Sequence, residues 1–289
     1  MPLQQESAPQ AIRATPGTTA AIFDSPHSGT VYPDDFNYAC GFAEMRTAED
    51  THVEKLYDFA PSLGIAWIEA LFPRIYLDPN RGETEVDVDM LDGAWDGEVV
   101  SDATALSKLR LGKGLIWRQT DEGLPVYDRK LTPQEVRGRI ERCWRPYHRA
   151  VQQAIEAAHA RHGYSIHLNC HSMPAVSAPY STDYPGLKHA DFVFGDRDGT
   201  TADPKLTALL AGFLRDRGYD VAVNHPYKGV ELVRRYGDPA RQRHSIQLET
   251  NRRLYMDEGT FELLPQSAQL KADLKALSEL IVRTDPRQL

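Results

Sequence analysis

Short apolar runs of the β type recur along this chain, and stretches with helical spacing separate them. The runs are residues 20–23, 65–69, 75–77, 164–168, 192–194, 221–223 and 245–248. Alternation of strands and helices is typical of α/β folds, in which helices pack on a central sheet. We therefore predict an α/β protein with strands at these seven positions.

The helical stretches carry start and stop signals. Thr132 and Glu135 form a capping-box pattern around Pro133, and this helix is predicted to end near Gly163. Further helices are predicted over residues 203–218 and 259–283. Residues 82–127 are rich in Gly and Asp and too long for an ordinary connection, so we expect an excursion over the mouth of the active site.

Composition excludes several classes of partner. The 289 residues are 41% hydrophobic and carry a formal net charge of −8, with no basic stripe that nucleic acid or anionic lipid would require. No apolar run approaches the ~18 residues that cross a bilayer. We expect one domain over residues 19–289 and a flexible lead-in over residues 1–18 that is not a signal peptide.

The three cysteines, Cys40, Cys143 and Cys170, form an odd and widely spaced set. Such a set favours a reducing cytoplasm over a disulfide framework. The oligomeric state is left open by the sequence.

Two histidines are predicted to be metal ligands. His27 follows the run 20–23 inside a turn with Pro26 and Gly29, and His171 follows the run 164–168. A sheet brings such strand ends to one edge, so we predict that both imidazoles bind one zinc ion. His167, two residues before Asn169 on the same face as His171, is interpreted as a supporting or core residue.

A third ligand is needed, because catalytic zinc normally takes three protein ligands and leaves one position for water. No carboxylate follows His27 at the usual spacing, since Thr30 stands there. We choose Asp50, at the start of a predicted helix, and keep three alternatives open: Glu49, His52 and Glu54.

These segments resemble the N-formylglutamate amidohydrolase (deformylase) family. The resemblance spans most of the chain and is carried by residues 25–29, the segment around Asp50, and residues 78–81, 146–149, 169–173 and 247–256. It implies a three-layer α/β/α fold with a central mixed, mostly parallel sheet, like the zinc carboxypeptidases. It further implies a zinc-dependent amidohydrolase of histidine degradation that cleaves N-formyl-L-glutamate, a small anionic substrate, into formate and glutamate.

Glu249, at the end of the run 245–248, is predicted to be the general base that accepts a proton from water. Its alternative is a structural ion pair with Arg252 or Arg253. A metal-free hydrolase that uses Cys170 as nucleophile is the rival mechanism, but Cys170 and His171 would point to opposite sides of an extended strand.

The carboxylates of the substrate call for planar, permanently charged donors. Asn80 and Arg81 resemble the Asn-Arg pair of zinc carboxypeptidases, and Arg81 is our first choice for the substrate and for catalysis. Arg118 is the second choice, and Arg139 and Arg252 are further substrate-binding candidates; each of these three could equally be a solvated surface charge. Hydrolysis of another N-acyl amino acid, or non-catalytic binding of acidic amino acids, stays open as an alternative function.

Overall fold

The computed structural model of the protein describes residues 10–179 and 184–289, and within them one seven-stranded sheet forms the centre. The strands are β1 (Ile12–Thr15), β2 (Ala21–Ser25), β3 (Ala66–Ala70), β4 (Ser165–Met173), β5 (Phe192–Gly195), β6 (Val221–Val223) and β7 (Arg243–Asn251). Their spatial order is β1-β3-β2-β4-β7-β5-β6.

The sheet is mixed and mostly parallel, as expected. β2 is parallel to β3 and to β4, β4 is parallel to β7, and β5 is parallel to β6. β1 joins β3 and β5 joins β7 in antiparallel pairs. The carboxyl ends of β2, β4 and β7 therefore lie at the same edge of the sheet.

Helices cover both faces. They are α1 (Phe42–Arg46), α2 (Val53–Leu56), α3 (Ala103–Arg110), α4 (Pro133–Arg139), α5 (Arg145–His162), α6 (Pro204–Arg215), α7 (Glu231–Tyr236) and α8 (Ser267–Arg283). On one face, α5 packs on the sheet through Tyr147, Val151 and Ile155, beside buried residues of the excursion. On the other face, α6 and α8 pack through apolar residues at helical spacing. This is the predicted three-layer α/β/α arrangement.

Helix signals in the sequence are largely confirmed. The Thr132 hydroxyl accepts a hydrogen bond from the backbone N–H of Glu135, and the Glu135 carboxylate accepts one from the backbone N–H of Thr132, which completes the capping box. α4, a π-helical turn (Ile140–Trp144) and α5 form one run that ends at Gly163, where φ is 78°. Glycine accepts this left-handed conformation without steric strain, so it ends the helix here.

The predicted strand over residues 75–77 is wrong. These residues are buried, but they form a turn in which the backbone N–H of Tyr76 donates to the carbonyl of Pro73 at 3.0 Å. An apolar run indicates that residues are buried but not which secondary structure they adopt. Residues 75–77 are buried because they pack in the hydrophobic core, not because they pair in the sheet.

The predicted lead-in is also partly wrong. Residues 12–15 form β1, in which Ile12 pairs with Ala70 and Thr15 with Trp67. A strand this short with polar alternation carries little sequence signal, and its pairing with β3 is a tertiary effect. The lead-in before residue 10 lies outside the described residues.

The last helix starts at Ser267, eight residues later than predicted. Pro265 lacks a backbone N–H and disfavours helical geometry in the residue before it, so the apolar residues ahead of it cannot join the helix. Leu263 instead forms a bridge with Met256. In the described part of the chain, no helix is both long enough and apolar enough to cross a bilayer.

Candidate metal centre and active site

Three sequence-predicted residues meet at the carboxyl edge of the sheet. His27 lies two residues beyond the end of β2, while His171 in β4 is paired with Glu249 in β7. Residues paired across parallel strands present their side chains on the same face. Strand order alone thus brings the imidazole of His171 and the carboxyl group of Glu249 side by side.

His27, Asp50 and His171 form a buried group whose ligand atoms lie within 4.8 Å of one another. Oδ2 of Asp50 is 2.9 Å from Nδ1 of His171 and 3.4 Å from Nδ1 of His27. The two imidazole centroids are 4.6 Å apart. This group has the size and the ligand types of a metal site.

The partners on the far side of each imidazole determine which nitrogen faces the centre. Nε2 of His27 lies 2.7 Å from Oδ1 of Asp78, and Nε2 of His171 lies 2.8 Å from Oδ1 of Asn169. Both oxygens can only accept, so they favour the proton on each Nε2 and a lone pair on each Nδ1; at His171 the Nδ2 donor of Asn80 lies farther from Nε2, at 3.1 Å. Within residues 10–179 and 184–289, His27 Nδ1 has no hydrogen-bond partner. Two lone pairs and the Asp50 carboxylate therefore converge, an arrangement that a cation stabilises.

A buried polar network fixes Asn169 in this orientation. Its Nδ2 donates to Oδ1 of Asp24 at 2.9 Å, so its Oδ1 must face His171. Asp24 also contacts His167 Nε2 at 2.9 Å and accepts from the Tyr147 hydroxyl at 2.7 Å. His167 is fully buried, in agreement with its interpretation as a supporting residue.

The loop that carries Asp50 is tied to the His27 turn. The backbone N–H of Asp50 donates to the carbonyl of His27 at 3.0 Å. The alternatives point elsewhere: Glu49 accepts from a tyrosine hydroxyl at 2.7 Å, and His52 Nε2 lies 2.8 Å from a backbone carbonyl. Among the described residues, the metal-binding group includes none of Glu49, His52 and Glu54.

Gly29 lets the His27 turn approach the backbone that follows β3. A Cβ atom at Gly29 would lie 2.3 Å from the carbonyl oxygen of Phe72, which no side chain tolerates. The glycine is required here by close approach, and it sets the position of the imidazole two residues earlier.

Glu249 is buried beside this group. Its Oε1 accepts from Nε2 of Gln247 at 2.8 Å. Burial and the nearby Asp50 carboxylate raise the pKa of Glu249 well above its usual range, although Arg74 opposes this. Neither of the two arginines considered as its partner forms an ion pair with Glu249. Arg253 pairs with Asp191 at 2.6 Å, and Arg252 donates to the carbonyl of Glu49. Glu249 is thus a buried carboxyl group with a strong affinity for a proton.

Arg74 is a site residue that the sequence reasoning missed. Its Nη2 donates to Oδ2 of Asp78 at 2.9 Å, and its Nη1 lies 3.9 Å from Oδ1 of Asp50. Burial alone would raise the pKa of Asp78, but Arg74 and His27 hold it well below its usual range. The spacing of four residues between Arg74 and Asp78 is the signal that could have revealed the pair.

Asn80 and Arg81 lie next to the centre. Nδ2 of Asn80 is 3.1 Å from Nε2 of His171, and its Oδ1 accepts from the backbone of Leu232 at 2.9 Å. The structure therefore places the Asn80 amide behind a histidine. Nε of Arg81 is buried and has no hydrogen-bond partner in the part of the chain that the structure describes. An unpartnered guanidinium N–H near the site is what an anion-binding residue offers before its ligand arrives.

The remaining arginines differ in their positions. Arg252 contacts the centre: its Nη2 donates to the carbonyl of Glu49 at 2.7 Å and lies 3.4 Å from Oδ1 of Asp50. Arg118 pairs with Asp87 at 2.8 Å. Arg139 is buried and donates to the carbonyl of residue 76, which is a structural role.

Tyr227 was also missed. Burial and the nearby Glu249 carboxylate raise the pKa of its hydroxyl well above the usual value of a tyrosine. Its ring is stacked on His189 with centroids 5.4 Å apart. No local pattern in the sequence around Tyr227 marks it, because a loop remote in sequence delivers it.

Cys170 does not reach the centre. It is fully buried in the apolar layer opposite His171, and burial raises the pKa of its thiol well above the usual value. A buried thiol of this kind is inert, so the structure gives no support to cysteine catalysis.

Comparison with known proteins identifies the family. The family model for N-formylglutamate amidohydrolase matches residues 19–256. Proteins named N-formylglutamate deformylase from Pseudomonas putida and Pseudomonas aeruginosa are each 30% identical to this chain, with 84% of both chains covered. A crystal structure of N-formylglutamate amidohydrolase from Ralstonia eutropha JMP134 is 42% identical, covers 96% of this chain and 99% of that chain, and has a TM-score of 0.89. A gene product from Agrobacterium tumefaciens shares the fold, with 15% identity and a TM-score of 0.66. The chain belongs to the N-formylglutamate amidohydrolase family.

Proposed function

We propose that the protein hydrolyses N-formylglutamate to formate and glutamate and that a zinc ion held by His27, Asp50 and His171 is its cofactor. The observation that carries the proposal is the buried convergence of these three ligand groups beside Glu249. We choose N-formylglutamate as the substrate because the relatives are named N-formylglutamate deformylase.

The ligand set fits zinc. Two imidazole nitrogens and one carboxylate are a common protein ligand set for catalytic zinc, and they leave a position open. Burial lowers the pKa of His171, which favours the neutral imidazole that binds metals. When bound, such an ion supplies Lewis-acid chemistry: it polarises a carbonyl oxygen and lowers the pKa of water.

Glu249 carries the proton in this mechanism. Water adds to the formyl carbon while Glu249 accepts a proton from it, and the carboxyl group then delivers that proton to the amide nitrogen. The C–N bond breaks, formate leaves, and glutamate keeps the nitrogen as its amine. Burial raises the pKa of Glu249, so its carboxylate is a better proton acceptor than an exposed one.

Arg81 and Arg252 are proposed to hold the α-carboxylate of the substrate. That carboxylate lies next to the reacting amide, so its partners must lie close to the metal ligands. Arg252 contacts Asp50 directly, and Arg81 offers an unpartnered Nε. Asn80 supports His171, and we propose that it orients this ligand. Arg118 is already paired with Asp87, so it is a weaker substrate-binding candidate.

A formate-release assay tests the proposed function. Purified protein is incubated with N-formylglutamate, N-acetylglutamate and N-formylalanine, and its metal content is measured in parallel. We expect one metal ion per chain and the highest kcat/KM for N-formylglutamate. Preference for the acetyl compound would instead make the protein a hydrolase of another acyl amino acid, and metal binding without turnover of any compound would make it a binding protein.

A further inference from the structure

N-formylglutamate carries a second, distal carboxylate that needs its own partner. The two arginines that lie against Asp50 already have other roles. Arg74 donates to Asp78 through Nε and Nη2, and Arg252 is the proposed partner of the α-carboxylate. A distal carboxylate would therefore meet a different cation, farther from the metal ligands.

A short hairpin in the excursion approaches the site from outside. Lys113 and Trp117 form an antiparallel bridge. Between them, the carbonyl of Leu115 accepts from the backbone N–H of Asp78 at 2.8 Å, and the N–H of Leu115 donates to the carbonyl of Glu85 at 2.8 Å. The hairpin is thus fixed to the residue that contacts His27.

Gly114 is required at the turn of this hairpin. A Cβ atom there would lie 2.7 Å from the carbonyl oxygen of Glu85 and 2.3 Å from Leu109 Cδ2. This close packing holds the side chains of the hairpin in one position relative to the site.

Trp117 connects two cations. The guanidinium carbon of Arg74 lies 4.9 Å from the Trp117 ring centroid, and Nζ of Lys113 lies 5.1 Å from it. Arg74 is in turn 3.9 Å from Asp50. Lys113 and Arg74 therefore contact the same indole ring, and Lys113 is the more exposed of the two cations, at 26% against 19% for Arg74.

The current partner of Lys113 is Asp121. The side chain of Lys113 is 26% exposed and that of Asp121 is 37% exposed. An ion pair this open to water contributes little to stability, so a substrate carboxylate can replace Asp121 at small cost.

We propose that Lys113 binds the distal carboxylate of the substrate and is a specificity-determining residue for the acidic side chain. Asp121 holds the ammonium group in place until the substrate displaces it. A lysine suits this position, because a point charge on a flexible stem tolerates variation in the geometry of a mobile side-chain carboxylate. This inference rests on the proposed function.

The test is the variant Lys113→Met, assayed with N-formylglutamate, N-formylglutamine and N-formylaspartate. For N-formylglutamate we expect KM to rise about tenfold or more with kcat within about twofold, because a charge-assisted contact made in both ground and transition states is lost. KM for N-formylglutamine should change less than about twofold. Lys113→Arg should keep part of the preference for glutamate over glutamine.

Two further variants separate a contact from a general loss of positive charge. Lys275→Met removes an exposed lysine on α8 and should leave all three KM values unchanged. Asp121→Asn removes the competitor and should lower KM for N-formylglutamate. Thermal unfolding and metal content of each variant are measured to confirm that fold and site persist.

The outcomes distinguish this inference from the proposed function. If the unchanged protein fails to release formate from N-formylglutamate, the proposed function fails and this inference with it. If it does so and Lys113→Met keeps the preference for glutamate over glutamine, the inference alone is wrong. Equal losses for the aspartate and glutamate compounds would also overturn it, because a long-range field does not distinguish the two lengths.

Discussion

Replacement of Asp78 by Asn should weaken both the fold and the metal site. The Asp78 carboxylate is fully buried and accepts four hydrogen bonds: from His27 Nε2 at 2.7 Å, the Asn80 backbone at 2.9 Å, and Arg74 Nη2 and Nε at 2.9 and 3.3 Å. In the variant, Oδ1 of the amide can keep the first two. Its Nδ2 group would face the donors of Arg74, and the guanidinium would lose its nearer counter-charge and keep the Asp50 carboxylate, 3.9 Å from its Nη1.

The magnitude follows from that loss. Removal of one partner from a buried ion pair costs ~3–5 kcal/mol. Arg74 keeps 19% of its side chain exposed, so we expect the lower end, about 3 kcal/mol of unfolding free energy. Metal affinity should fall by about tenfold, the lower end of the range for loss of an outer partner, because the neutral amide still accepts from His27.

Urea unfolding of the chelator-treated protein measures the first quantity, and competition with a fluorescent chelator measures the second. Asp58→Asn is the matched control, since Asp58 is 60% exposed and pairs with Lys271 at the surface. It should change stability by less than ~0.5 kcal/mol. If Asp78→Asn behaves like this control in both measurements, our account of how the His27 imidazole is held is wrong.

Two further variants test the proton carrier and the buried imidazole behind the site. Glu249→Gln should keep its metal and its stability while kcat falls by roughly 10²-fold or more, because an amide cannot accept a proton from water at neutral pH; near-normal kcat would remove Glu249 from the mechanism. Burial lowers the pKa of His148 to about 4, so the unfolded chain, with a His pKa near ~6.5, binds more protons between those values, and stability falls as the pH drops from about 6.5 to 4. His148→Gln should remove up to ~3 kcal/mol of this acid-dependent loss, measured as the difference between the two urea-unfolding profiles against pH; parallel profiles would refute the assignment.

The convergence of the two histidines was predictable from the sequence. Each follows an apolar run, and the carboxyl ends of parallel strands meet at one edge of a sheet. The pairing of His171 with Glu249 follows from the same rule once β4 and β7 are neighbours. Local pattern was sufficient here because strand ends and strand direction determine the geometry.

The choice among Glu49, Asp50, His52 and Glu54 could not be made from the sequence. All four lie within six residues at the start of α2, and which of them faces the histidines depends on the hydrogen bond between Asp50 and the carbonyl of His27. That bond joins segments that are distant in sequence. Tyr227 escaped notice for the same reason, since only tertiary packing brings its loop to Glu249.

The errors in secondary structure have physical causes of a similar kind. Residues 75–77 are apolar because they are buried, yet Pro73 starts a turn there. β1 gains its strand conformation from pairing with β3 and carries a weak local signal. Pro265 was the one local signal that the helical spacing around it concealed.

We expect formate release to depend on one ion held by His27, Asp50 and His171. The measurement that tests it most directly is the activity of chelator-treated protein titrated with zinc, with N-formylglutamate as substrate. We expect activity to rise linearly to a break at one ion per chain, and His171→Ala to show neither the break nor the activity. Full formate release by the metal-free protein, or a normal titration of His171→Ala, would contradict the account.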